Sequence, residues 1–171
     1  MTPSASHHVF KLMPSPVGTL TLVATGKGLV AVLWPQDDPR RVRLPVLTRD
    51  DNHPVLRKAE TELTEYFAGK RKRFTVTLDF AGTDFQKRVW RALLEIPFGE
   101  TRSYRDIAVK LGKPTATRAV GAANGRNPIS IIAPCHRVVA ANGALTGFAG
   151  GLETKARLLA LEAGSPRNAG T

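Results

Sequence analysis

The chain has 171 residues, of which 42% are hydrophobic and 23% charged, a composition typical of an ordinary globular protein. No apolar run approaches the roughly 18 to 20 residues that a membrane-spanning helix needs, and the N-terminus does not resemble a secretory signal. We therefore expect a cytoplasmic protein that does not contact membranes. The formal net charge of +11 favours a polyanionic partner, with nucleic acid first, although a basic surface also serves solubility alone.

The first part of the chain, residues 1–80, is predicted to form a small α/β domain. Apolar positions alternate between turn signals over residues 9–34, which predicts an antiparallel meander of about three strands. Residues 35–54 are rich in proline and charge and are predicted to be an exposed connection. Helical spacing then covers residues 55–67, and the alternation in residues 73–80 predicts a further strand that joins the first sheet.

The second part of the chain, residues 81–171, has a different sequence pattern and is predicted to be mainly helical. Asp84 is a candidate cap for a first helix, and Ser103 for a helix that runs to Leu111. After a glycine-containing turn, Thr115 is a candidate cap for a helix that ends near Asn124, which completes a helix-turn-helix pattern. The tail at 165–171 is expected to be disordered.

The second helix of this pattern is rich in small residues, and Arg118 is its main long side chain. One interpretation is close packing against a neighbouring helix. The other is a close approach to the minor groove of DNA, with Arg118 inserted into the base stack. A helix that reads the major groove would instead present several long polar side chains, which this helix lacks.

The single cysteine, Cys135, follows the apolar run "ISIIA", which we predict to be a short strand, and precedes His136. One cysteine excludes an intramolecular disulfide and a cysteine-rich zinc site, and we expect no metal. A lone buried cysteine is most often an apolar filler, but a neighbouring histidine is able to take its proton. Glu162 in the last predicted helix is the candidate to orient the imidazole; its alternative is a glutamate that faces solvent.

Five segments occur in the order typical of one protein family. They are "GTDFQKRVW", "IPFGETRSY", "RAVGAANGRNP", "PCHRV" and "GGLETK". The chain thereby resembles the O6-alkylguanine-DNA alkyltransferases, and is most similar to the compact bacterial single-domain form. The resemblance implies an α/β (α+β) fold, with a ribonuclease-H-like antiparallel sheet and helix followed by a mostly helical domain with a winged helix-turn-helix.

The resemblance also implies a role for each matched residue. Cys135 would accept the alkyl group, His136 would deprotonate it through a bridging water, and Glu162 would orient the imidazole. Asn127 would form a hinge that supports the site by hydrogen bonds, and Tyr104 would help to rotate the phosphate and donate toward the purine. The implied DNA-binding residues are Arg118, Tyr104, Arg105, Lys113, Thr115 and Ala119. The implied walls of the base pocket are Val138, Phe148, Ala149, Gly150 and Lys155.

Two positions depart from the family pattern. Phe148 stands where the family commonly has tyrosine, and Ala149 where a serine occurs in some members. Each change removes a polar group that could contact the flipped base. We expect activity to persist, with altered handling of bulky adducts.

The implied activity is repair of O6-alkylguanine, and of O4-alkylthymine, in duplex DNA by a single-turnover transfer to Cys135 with nucleotide flipping and without a cofactor. The implied partner is double-stranded alkylated DNA, bound through the minor groove by a protein that is a monomer in solution. The loop "DDPRRVRLP" either contacts neighbouring protomers or DNA, or is a solvated connection.

Three alternatives remain open from the residues. Alkyltransferase-like damage sensors carry tryptophan at the acceptor position, where this chain has Cys135. A cysteine hydrolase would need an oxyanion hole and would leave the helix-turn-helix and Arg118 unexplained. A transcriptional regulator would need a second helix that is better supplied with base-reading side chains.

Overall fold

The computed structural model describes residues 7–164, so the predicted disordered tail at 165–171 lies outside the described residues. The chain divides between Ala81 and Gly82 into two compact units. None of the helices within residues 7–164 is long and apolar enough to cross a membrane.

The N-terminal unit is built on a four-stranded sheet and one helix. Its strands are β1 (Val9–Met13), β2 (Leu20–Thr25), β3 (Gly28–Leu33) and β4 (Thr48–Arg49), in the order β3-β2-β1-β4. β1, β2 and β3 form the predicted antiparallel meander, which is confirmed. Helix α1 (Pro54–Phe67) buries Leu56, Ala59, Leu63 and Tyr66, which lie on one face because they recur at helical spacing.

The connection at residues 35–54 is more ordered than predicted. β4 lies within it and pairs in parallel with β1. Leu44 and Leu47 pack against the core cluster of Val23, Val30 and Ala31. The prediction of an exposed connection was therefore wrong in part, because Leu44 and Leu47 are half-buried against the sheet, whereas Val46 is 91% exposed.

The strand predicted for residues 73–80 is also wrong. It is reduced to one bridge, in which Leu29 N donates to Thr77 O at 2.8 Å and Asp79 N donates to Leu29 O at 2.7 Å. Thr75 N and Val76 N donate instead to the carboxylate of Glu62, at 2.9 and 3.1 Å. These two amides are thus unavailable to a sheet ladder, so alternation of side chains alone does not produce a strand here.

Replacing Glu62 by glutamine is expected to cost about 2 kcal/mol of the free energy of unfolding at pH 7. Burial acts to raise the pKa of Glu62, but the hydrogen bonds from Thr75 and Val76, with Arg71 nearby, lower it below its ordinary value of 4.5. The unfolded state therefore takes up the proton first as the pH falls, and the contribution of Glu62 is present above pH 4.5 and lost below it.

Urea unfolding of the parent and Glu62→Gln at pH 7 and at pH 3.5 measures this contribution. Glu60→Gln is the matched control, because Glu60 lies on the same helix and, among residues 7–164, makes only a long, half-exposed ion pair with Lys11 at 3.6 Å. A difference between parent and Glu62→Gln that does not shrink at low pH would contradict the assignment.

The C-terminal unit consists mainly of four helices. They are α2 (Asp84–Leu93), α3 (Tyr104–Lys110), α4 (Thr117–Gly125) and α5 (Leu152–Ala163). Two short parallel strands, β5 (Arg102–Ser103) and β6 (Val138–Val139), join the start of α3 to the segment that follows the cysteine. Trp90 of α2 is buried and its Nε1 donates to Ala123 O of α4 at 2.8 Å, so the helix-turn-helix is anchored to α2.

The helix starts differ in part from the predictions. Ser103 caps α3 as predicted, and its hydroxyl accepts from Asp106 N at 2.9 Å. α2 is capped by Thr83 rather than Asp84, because Thr83 forms a reciprocal capping box with Gln86. The predicted cap of α4, Thr115, is wrong as well: α4 starts after Ala116 and has no side-chain cap.

Candidate active site

The segment that leads to the cysteine is a buried irregular loop, so the strand predicted for "ISIIA" is wrong. Asn127 closes the loop: its Nδ2 donates to Ala133 O at 2.8 Å, and its Oδ1 accepts from Ile129 N at 3.0 Å. Within the loop, Ile131 has a φ of 73°, a left-handed conformation that is unfavourable for a β-branched residue. A strand cannot contain such a reversal, and packing together with Asn127 holds the loop in place.

Replacing Asn127 by alanine is expected to destabilise the protein by about 3 kcal/mol, because two fully buried backbone groups lose their partners. Urea unfolding measures the loss. Asn142→Ala is the matched control, since the exposed Asn142 accepts a single turn hydrogen bond from Ala144 N. A cost below about 1 kcal/mol for Asn127→Ala would show that Asn127 does not hold the loop.

Cys135 and His136 lie in a short 3-10 turn, Cys135–Arg137, that follows this loop. The two side chains are buried, with 4% of Cys135 and none of His136 exposed. His136 Nε2 lies 2.6 Å from Glu162 Oε2, whereas its Nδ1 has no hydrogen-bond partner among residues 7–164. The structure thus joins the predicted histidine and glutamate, and Glu162 does not face solvent as the alternative required.

Burial lowers the pKa of His136 below its ordinary value of 6.5, although the hydrogen bond and charge of Glu162 act to raise it. The imidazole is therefore neutral at pH 7. A carboxylate accepts hydrogen bonds only, so the hydrogen of the neutral ring lies on Nε2 and the lone pair on Nδ1. This nitrogen is chemically equipped to accept a proton.

Lys155 is completely buried, which the sequence did not indicate. Its Nζ donates to Val138 O at 2.7 Å and lies 5.8 Å from the centre of the Phe148 ring. Burial lowers the pKa of Lys155, and the charge of Cys135 acts in the opposite direction. Lys155 thus lies against two other predicted pocket residues, Val138 and Phe148.

Tyr104 extends from the start of α3 to the loop that contains the remaining predicted pocket residues. Its hydroxyl lies 2.6 Å from Thr146 Oγ1. In the same loop, Phe148 and Gly150 are half-buried and Ala149 is exposed. Thr146 was not predicted as a site residue, and nothing in its type or spacing would have identified it.

Apart from the half-buried Tyr104, the predicted DNA-binding residues are on the surface of the C-terminal unit. Lys113, Thr115, Arg118 and Ala119 are exposed along the turn and the first part of α4, whereas Val120, Ala123 and Asn124 are buried. The small residues of α4 thus serve close packing on one face and leave the other face open. Arg105 is exposed and lines a cavity of about 460 Å³ between α2 and α3, whose lining does not include Cys135.

The sequence also missed Arg137, which is 6% exposed and contacts Glu162. Its proximity to Cys135 in the chain was the available signal, but arginine is seldom buried. Within residues 7–164 no group of three or more His, Cys, Asp or Glu side chains is placed to hold a metal ion.

Comparison with known proteins identifies the relatives of this chain. Two family models match: the ribonuclease-like domain of 6-O-methylguanine DNA methyltransferase at residues 9–80, and its DNA-binding domain at residues 84–164. Curated proteins named methylated-DNA–protein-cysteine methyltransferase include one from Methanosarcina barkeri, 48% identical over 153 residues (90% of this chain, 96% of the relative). A second, from Mycobacterium tuberculosis, is 49% identical over 155 residues (90% and 91%).

The solved structures include that of Mycobacterium tuberculosis OGT in complex with DNA. It superposes with a TM-score of 0.85 at 44% identity and covers 95% of this chain and 99% of that one. The Pyrococcus kodakaraensis O6-methylguanine-DNA methyltransferase, at 22% identity and a TM-score of 0.52, shares the fold.

Proposed function

The chain belongs to the 6-O-methylguanine DNA methyltransferase family, and we propose that it repairs DNA as a methylated-DNA–protein-cysteine methyltransferase. Its substrates are O6-alkylguanine and O4-alkylthymine in duplex DNA, and the acceptor is Cys135. The observation that carries this proposal is the hydrogen bond of 2.6 Å between His136 and Glu162 beside the only cysteine, with the opposite imidazole nitrogen unpartnered among residues 7–164.

The chemistry follows from these groups. His136 Nδ1 takes the thiol proton through a water, and the thiolate of Cys135 attacks the alkyl carbon. The sulfur–carbon bond forms as the bond from carbon to guanine O6 breaks. The departing guanine takes a proton from Tyr104, or is stabilised by a hydrogen bond from a backbone amide until water protonates it, and the proton held by His136 returns through water to the group that gave its proton. The product is a thioether, which has no carbonyl for water to attack. Each protein molecule therefore reacts once and needs no cofactor.

The target base must leave the helix before it can reach a buried thiol. Arg118, exposed at the start of α4, is suited to fill the gap in the base stack, with Thr115 and Ala119 in the minor groove. Lys113 and Arg105 add positive charge for phosphate contacts. We also propose that the protein is a monomer in solution. Its cytoplasmic location stays a prediction from the sequence. Contacts between protomers through the loop at residues 35–54 also stay a prediction.

The alternatives are less well supported. A damage sensor that binds without reacting does not need a cysteine with a polarised histidine beside it. A cysteine hydrolase leaves the exposed face of α4 without a role, and a regulator that reads sequence leaves the buried thiol without one.

The test is intact-protein mass spectrometry after incubation with a duplex that carries one O6-methylguanine. The expected result is the gain of a single methyl group, which peptide mapping locates on Cys135, and no gain with the same duplex carrying guanine. Binding of the lesion without any change in mass would overturn the transferase and favour a damage-sensing protein.

Replacing Phe148 by tyrosine is expected to change the transfer rate for methyl adducts by less than about threefold and for benzyl adducts by more. The half-buried ring lies in the predicted pocket loop near Lys155, so an added hydroxyl alters the pocket wall that a bulky group would touch. Single-turnover rates on O6-methylguanine and O6-benzylguanine duplexes measure both effects. An equal change in rate for both adducts would show that Phe148 does not form part of the pocket wall.

A further inference from the structure

Arg137 is a buried arginine directly after His136 in the chain. Its Nε donates to Glu162 Oε1 at 2.7 Å and its Nη2 donates to Glu162 Oε2 at 3.1 Å. The guanidinium therefore binds the carboxylate through two hydrogen bonds. Its Nη1 donates to Ile96 O at 2.6 Å, and the ring of Phe98 lies 5.7 Å away. Each guanidinium nitrogen is therefore engaged and the side chain has one defined position.

A buried ion pair of this kind is not explained by stability alone. Removing two charges from water costs several kcal/mol, and well-packed apolar side chains of similar volume are often as stable. Glu162 and Arg137 are both largely inaccessible, at 6% exposure each. The pair therefore calls for a role that apolar residues could not fill.

That role concerns the contact that the carboxylate of Glu162 makes with His136. Glu162 Oε2, which accepts from Arg137, is also the atom that lies 2.6 Å from His136 Nε2. The two parallel bonds from Arg137 prevent the carboxylate from rotating, and they aim this oxygen at the imidazole. The positive charge keeps the carboxylate an acceptor, so the imidazole hydrogen stays on Nε2 and the lone pair on Nδ1.

We propose that Arg137 is a positioning residue that holds His136 in the Nε2–H tautomer through Glu162. The inference rests on the proposed function, in which Nδ1 receives the thiol proton. Without the guanidinium, a buried carboxylate beside a neutral ring takes up a proton. The resulting carboxylic acid donates to Nε2, the ring hydrogen moves to Nδ1, and the nitrogen that should accept the proton from Cys135 is blocked.

The test is the 15N NMR spectrum of His136 in the DNA-free protein, labelled at histidine and assigned by difference against His136→Gln. The parent should show hydrogen on Nε2, and Arg137→Gln should show it on Nδ1. Arg137→Lys should keep the parental form, because a cation remains. Arg157→Gln is the matched control, since it removes an exposed arginine from α5, and it should leave the spectrum unchanged.

Single-turnover transfer should be roughly 100-fold slower in Arg137→Gln and partly restored in Arg137→Lys. A folded Arg137→Gln that keeps hydrogen on Nε2 would overturn the proposal. So would a parent protein with hydrogen on Nδ1, a result that does not depend on any variant folding. A parent protein that never gains a methyl group would refute the proposed function. The tautomer measurement would still be valid in that case, because the spectra are recorded without DNA.

Discussion

Replacing Cys135 by serine is expected to slow methyl transfer by about 10,000-fold or more, the order of loss seen when a nucleophile is removed from a catalytic site. Serine has nearly the same size, but its alcohol is a far weaker nucleophile than a thiol toward saturated carbon. His136 and Glu162 stay in place in this variant, so the loss reports the acceptor atom alone. Because the side chain is buried and does not contribute charge to the surface, binding to a methylated duplex should change by less than about threefold.

Intact-mass spectra over several hours and a mobility-shift titration with the methylated duplex measure the two quantities. The parent protein gives the reference for both. A methyl group found on Cys135→Ser would show that another side chain accepts it. A large loss of DNA binding would show instead that the thiol contributes to recognition of the lesion.

Replacing Glu162 by glutamine is expected to lower the transfer rate by about 100- to 1,000-fold. The amide can present its NH₂ group to His136 Nε2, which then has to accept, and the ring hydrogen moves to Nδ1. The change also leaves the guanidinium of Arg137 buried without its counter-charge, which costs about 3 to 5 kcal/mol of the free energy of unfolding.

The pH dependence of the transfer rate and of the free energy of unfolding separates the effect on His136 from the loss of stability. The pKa of His136 is lowered mainly by burial and partly restored by Glu162, so the parental rate should hold steady down to pH 6.5 and fall at lower pH. The neutral imidazole favours the folded state above pH 6.5, and this contribution is lost as the pH falls through the pKa of the folded state. In Glu162→Gln the acid fall in rate should move to lower pH, because the group that favours the charged ring is absent.

Single-turnover rates between pH 5 and 8, with urea unfolding at the same values, measure both quantities. Glu153→Gln is the matched control, since Glu153 is an exposed glutamate in the first turn of the same helix and its replacement costs less than about 1 kcal/mol. An unchanged rate in Glu162→Gln would mean that His136 does not need an oriented carboxylate.

The elements predicted well were those whose signals are local. Periodic apolar residues predicted α1 and the meander of β1 to β3, and Ser103 was correctly predicted to cap α3. The strand predicted at residues 73–80 failed because Glu62, some thirteen residues earlier in the chain, accepts from Thr75 N and Val76 N. The alternation of apolar and polar side chains does not show which groups accept hydrogen bonds from the backbone N–H donors.

The sequence by itself determined which chemistry was available. A single cysteine next to a histidine, a short helix of small residues and the ordered motifs were sufficient to predict the family and to name His136 and Glu162 before their contact was seen. Local patterns carry this information because reactive side chains and helix signals depend on residue type and short spacing.

Only the tertiary structure decided how those groups are held. The buried side chains of Arg137 and Lys155 depend on partners that lie elsewhere in the fold. The left-handed Ile131 lies in a buried loop that Asn127 closes by hydrogen bonds to Ile129 and Ala133. A charged residue is expected at the surface unless folding supplies a counter-charge or backbone acceptors. Arg137 finds Glu162 and Ile96 O, and Lys155 finds Val138 O, through contacts between segments that are distant in sequence, which no short stretch of residues encodes.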